Sequence, residues 1–119
     1  MQVYSFEELI IWQEARQIVK MVYSLLAKNH DFDFKSQINR AAISIMNNIA
    51  EGFERNRNSA DKKQFYNFLN ISYGSCGEVR SMTYIAQDLD YMNEKDAVAL
   101  RNDCYSLSCK IVAFMQTLH

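Results

Sequence analysis

The chain has 119 residues, of which 49% are hydrophobic and 23% charged, with a net charge of −1. That is the length of one domain, spanning 1–119, with the composition of a folded globular protein rather than a disordered one. With no proline and three glycines there is little material for tight turns, which disfavours an all-β sandwich or barrel. Near-neutral bulk charge gives a nucleic acid nothing to grip beyond a local patch.

Three cysteines, Cys76, Cys104 and Cys109, are an odd number and fit a reducing compartment better than a disulfide framework. The opening MQVYSFEELI has neither the basic region nor the apolar core of a secretory signal, and no apolar run approaches the roughly 20 residues of a membrane span. The expectation is a cytoplasmic protein with no membrane partner.

The first helix is predicted from Ser5, which stands at capping-box spacing from Glu8. Ile11, Ala15, Ile18, Val19, Val22, Leu25 and Leu26 recur at three and four residues and share one face. After the polar break Lys28-Asn29-His30-Asp31, a second helix capped by Asp33 or Ser36 runs to about Arg55. A loop Asn56–Ser59 follows, with Ser59 as cap of the third helix and Asp61 in its first turn. Phe65, Phe68, Leu69, Cys76, Val79, Met82 and Leu89 form that helix's apolar stripe. Asn93 caps the fourth helix, whose stripe is Leu100, Cys104, Leu107, Ile111, Phe114 and Leu118. Four amphipathic helices with short loops predict an all-α, up-down-up-down antiparallel four-helix bundle.

Helix two is apolar over more than half its circumference, through Ile38, Ala41, Ala42, Ile43, Ile45, Met46, Ile49, Ala50 and Phe53. One bundle core needs only a stripe, so the excess predicts a second buried contact, most simply another subunit. Phe6, Leu9 and Ile10 lie off the main face of helix one and add to that surface. On helix three, Tyr66, Tyr73, Tyr84 and Tyr91 are spaced to line one edge. Three readings stand for that edge: a subunit interface, the border of the monomer core, or a base-stacking platform. Phe6, Leu9, Ile10, Ile43, Met46, Tyr66, Tyr73 and Tyr84 are therefore the candidate oligomer contacts.

The polar stripe of helix two reads as a polar-ligand or nucleic-acid face, as a solvated face, or as a hydrogen-bonded seam. Its members Arg40, Asn48 and Glu51, with Ser75 and Glu78 opposite, predict a structural polar seam centred on an Arg40–Glu78 pair. Arg55, Arg57, Lys62 and Lys63 gather at one end of the bundle, where helix three begins. They form either a polyanion site or a solvated loop diluted by Glu54 and Asp61.

Chemistry is poorly signalled. His30 and His119 are far apart, and Cys104 and Cys109 project about 140° apart on one helix, too far round to share a zinc ion. No Glu-x-x-His pair for a di-iron site, glycine-rich phosphate loop or Walker motif occurs. The expectation is no enzyme, no metal and no cofactor.

Three stretches, SFEELIIWQEARQIVKMVYSLL, QINRAAISIMNNIAEGFERN and FYNFLNISYGSCGEV, together resemble a bacterial family of four-helix bundles. Its founding members are encoded by intervening sequences inside large-subunit ribosomal RNA genes. The segment from Ser44 to Gly52 is the most specific part of the match. The resemblance implies a ring-shaped homopentamer. It also brings in relatives that accompany retroelements and bind nucleic acid, although this chain lacks their strong basicity. No catalytic residue is implied. The expected function is a non-enzymatic oligomeric scaffold, with RNA or DNA binding through a repeated basic patch as the alternative.

Overall fold

The computed structural model describes residues 2–118 and places all four expected helices. A 3-10 turn over Phe6–Glu8 precedes α1 (Ile10–Leu25), α2 (Phe32–Asn56), α3 (Lys63–Asp88) and α4 (Glu94–Met115). The connections are only five or six residues long, so each can reach about 20 Å at most. A helix of 25 residues is about 37 Å long. Each chain reversal therefore leaves the next helix no course except back along the last. Side chains record the register: Ser75 meets Ser44 and Ser72 meets the carbonyl of Ile45 across α2–α3, while Lys110 meets Glu14 across α4–α1. Contacts run α1–α2, α2–α3, α3–α4 and α4–α1, a closed square with no diagonal contact among the described residues.

The core lies inside that square. Ile11, Ala15, Ile18 and Val22 of α1, Leu69, Cys76 and Val79 of α3, and Leu100, Cys104, Leu107 and Ile111 of α4 are all buried. The expected stripes are thus real, except that Leu89, just past the end of α3, is exposed.

Helix starts differ from expectation because caps compete locally. The Ser5–Glu8 capping box forms, with the Glu8 carboxylate accepting from the Ser5 N–H at 2.9 Å, but it closes the 3-10 turn rather than α1. Leu9 is extended and buries its side chain in the core, and α1 starts only after it. Asp31, not Asp33 or Ser36, caps α2 by accepting from the Phe34 N–H. Ser59 bonds locally to Asp61 and does not cap α3, whose first N–H donates to the Asp61 carboxylate instead. Asn93 caps α4 as expected.

Most of the wide apolar arc of α2 is consumed within the chain, with Ile43 and Ala50 left partly exposed. Ile38, Ala41, Ala42, Ile45 and Ile49 are buried, and Met46 and Phe53 pack against the core. In a square of helices α2 has two neighbours, α1 and α3, so the second buried contact is the chain's own. The argument for a partner from Phe6, Leu9 and Ile10 narrows in the same way. Phe6 packs edge-on against Trp12 and Leu9 is core; only Ile10 stands out, 63% exposed.

Candidate functional site

The α2–α3 seam is polar and closed. Ser72, fully buried, donates to the Ile45 carbonyl at 2.9 Å. Ser75 donates to the Ser44 hydroxyl at 2.9 Å, and the Asn48 amide donates to both the hydroxyl and the carbonyl of Ser44. Of the expected seam, Asn48 and Ser75 belong to it. Arg40, Glu51 and Glu78 are exposed. Arg40 turns back onto the Ser36 carbonyl at 3.4 Å, Glu51 holds Arg55, and no Arg40–Glu78 ion pair forms among the described residues. The longer loop, with α3 beginning at Lys63, brings Arg40 level with Glu78, but both side chains point to solvent and do not meet.

The loop end is largely self-neutralised. Arg55 pairs with Glu51 at 2.9 Å and lies over the Phe68 ring, and Arg57 meets Glu54 at 3.5 Å. Asp61 occupies the first N–H of α3, the donor an incoming anion would want. Four cations thus face three carboxylates, and Lys62 and Lys63 alone are without an ion pair among the described residues.

Tyr66, Tyr73 and Tyr84 do line one exposed edge of α3, on the side facing α4. Tyr91 leaves the row because α3 ends at Asp88; its hydroxyl donates to Asp31 at 2.6 Å instead. That bond lowers the Asp31 pKa, helped by the Phe34 N–H, and raises that of Tyr91.

Two residues of α4 that the sequence pattern did not single out, Arg101 and Tyr105, complete this edge. Arg101 of α4 lies 3.7 Å from the Tyr84 ring centre, and Arg80 of α3 lies 5.3 Å from that of Tyr105. Arg101 also donates to the Thr83 hydroxyl at 3.0 Å and to Gln87 at 2.9 Å. The signal was present as Arg-x-x-x-Tyr at 80–84 and again at 101–105. On antiparallel helices the two copies interlock, each arginine stacking on the other copy's tyrosine.

Cys76 and Cys104 face each other across the same seam, and burial pushes both thiols up to about 12. They are inert core groups. Among the described residues no group of three His, Cys, Asp or Glu side chains could hold a metal, and no helix is long and apolar enough to cross a membrane. His119 lies outside the described residues. An apolar groove of about 550 Å³ lies between the start of α1 and the end of α4, lined among others by Leu9, Ile10, Ile11, Ala113 and Phe114.

No curated relative matches the chain. A solved structure, a protein of unknown function from the S23 ribosomal protein family of Bacteroides thetaiotaomicron, superposes with a TM-score of 0.75 at 20% identity. The match covers 89% of this chain and 98% of that one, and it shows the shared fold. The family model described as 23S rRNA-intervening sequence protein matches residues 7–113, nearly the whole bundle, and the chain belongs to that family.

Proposed function

We propose that the protein is a non-catalytic scaffold that assembles with copies of itself into a closed ring. The observation that supports this is unburied apolar surface on two opposite sides of the square. Ile71, Ile85 and Leu89, each close to half exposed, line the side of α3 that adjoins α2. Ile10 and the apolar groove lie on the α1–α4 side. Two different patches on one subunit make a head-to-tail contact, and such contacts close into rings when the rotation permits. Five subunits is the number implied by the family resemblance.

Light scattering on the purified protein is expected to give a multiple of 13.9 kDa. The double change Ile71→Ser and Ile85→Ser is expected to reduce it to smaller species with the helical content kept. A mass of one subunit at micromolar concentration rejects the scaffold.

A second reading, nucleic-acid binding at the loop end, is favoured by one observation: among the described residues Lys62 and Lys63 have no carboxylate partner. Binding there would be weak and steeply salt-dependent, each neutralised phosphate adding about −0.9 to the log–log slope on duplex DNA. Filter binding at low salt, with and without Lys62→Glu and Lys63→Glu, separates the readings. Retention of RNA or DNA that survives both reversals removes the loop end from consideration.

A further inference from the structure

Among the described residues two arginines are half-buried, Arg80 and Arg101. Arg101 spends its N–H groups on Thr83 and Gln87. Among the described residues the Arg80 guanidinium has no hydrogen-bond partner and no carboxylate; only its backbone carbonyl is engaged, by Thr83. It stands at a cleft of about 140 Å³ in the α3–α4 groove, lined also by Tyr73, Cys76, Gly77, Cys104 and Ser108. None of those residues carries a negative charge, since burial keeps both thiols protonated. The next acid on that side of α3, Asp88, lies two turns away, about 12 Å along the helix. A partly desolvated cation without a counter-charge is unfavourable in the free chain and favourable once an anion arrives.

The glycines beside it say what carries that anion. A Cβ at Gly74 or Gly77 would meet nothing within 4 Å, so neither glycine is required by the chain's own packing. Glycine in mid-helix is destabilising relative to alanine, and its compensation is close approach of another backbone. Tyr73, Tyr84 and Tyr105 rim the groove, each roughly half exposed. Tyrosine and arginine are the residues that anchor protein interfaces, and a groove between two helices accepts a third.

We propose that the α3–α4 groove docks a helix of a partner protein. Its main chain passes over Gly74 and Gly77, and an Asp or Glu carboxylate on it pairs with Arg80. A nucleic acid is the poorer fit, because Arg101 and Arg80 already cover a face of Tyr84 and Tyr105, the platforms on which bases would stack. The docking goes beyond self-assembly, whose apolar patches lie on other sides of the bundle.

The test uses the full-length protein, labelled with nitrogen-15 and titrated with three probes. These are sodium glutarate, an amphipathic helical peptide of Leu, Ala and Glu about 16 residues long, and a single-stranded oligothymidylate. Glutarate and the peptide are expected to move the Arg80 Nε–H and Gly77 amide signals. Arg80→Gln abolishes both responses, Arg80→Lys keeps part of each, and Arg57→Gln changes neither. Gly77→Ile weakens the peptide at least about tenfold, as loss of an interface centre does, and leaves the glutarate response intact. No movement at Arg80 and Gly77 with either carboxylate probe overturns the proposal. So does a response to oligothymidylate alone, which assigns the groove to nucleic acid. A fall in assembly mass for Arg80→Gln overturns it too, by making the groove a contact between copies.

Discussion

Both long seams of α3 are polar, yet they are finished differently. Against α2, the polar side chains along the middle of the seam find partners inside the chain: Ser72 on Ile45, Ser75 and Asn48 on Ser44. Gly52 fits the same logic, because a Cβ there would lie 2.7 Å from the Phe68 Cβ and 2.9 Å from the Phe65 ring. Against α4, the chain leaves work undone: Arg80 unpaired, Gly77 bare, Tyr84 and Tyr105 half in water. A closed seam holds a fold together. An open seam with charge, aromatic rings and glycine is what a binding surface looks like before it is bound.

Swapping the same atoms into both seams gives the largest contrast. Gly52→Ala forces a methyl against Phe68 and the buried Phe65, an overpacking that costs about 1–3 kcal/mol. Gly77→Ala meets open space and gains about 1 kcal/mol from helix propensity. Chemical denaturation should therefore lower the midpoint for the first variant and raise it for the second. Equal shifts would erase the distinction between the seams.

Thr83 tests the inner layer of the open seam. Its hydroxyl donates to the Arg80 carbonyl at 2.6 Å and accepts from Arg101. Thr83→Val keeps the volume and strips Arg101 of an acceptor, an expected loss of about 1–2 kcal/mol. Ser75→Ala in the closed seam leaves Ser44 and Asn48 bonded to each other and should cost about 1 kcal/mol or less. Thermal melts of the two variants decide it; a larger loss for Ser75→Ala contradicts the ranking.

The contrast also explains what could be read in advance. The stripes of α1 and α4 were legible because periodicity depends on one helix alone. So was the Asn93 cap, whose donor, the Asp96 N–H, lies three residues away. What failed was facing. A loop that runs to Lys62 moves cross-helix pairs by about a turn and brings Arg40 level with Glu78, yet both side chains point to solvent, which the pattern along one helix does not show. Asp33 and Ser36 are the caps expected for α2, and local hydrogen-bond geometry, not composition, picks Asp31 instead. The candidate interface tyrosines were found by spacing, whereas Arg101 and Tyr105 sit on another helix and become neighbours only once the antiparallel pairing is known.

The smallest effect belongs to the end where the two seams meet. There the Tyr91 hydroxyl, in the α3–α4 turn, donates to the carboxylate that caps α2, and Tyr91 packs edge-on against Phe34. The Asp31 pKa is lowered first by that bond and second by the Phe34 N–H. A carboxyl whose folded pKa lies below its unfolded value adds stability that is present above the unfolded pKa, near 3.8. That stability is lost as the pH falls through the lower folded value. Tyr91 runs the other way: its raised pKa adds stability that is complete below about 10 and lost as the pH climbs past the folded value. Tyr91→Phe keeps the ring and removes the hydroxyl. It should remove the share of the alkaline loss that belongs to Tyr91, leaving that of the buried Cys76 and Cys104 thiols, and weaken the acid arm only in part, because the Phe34 N–H still holds Asp31. Denaturation midpoints followed from pH 2 to pH 11 measure both arms. If the variant and the parent lose stability in parallel at the acid end, the hydroxyl contributes nothing to the cap and the two seams are not joined through it.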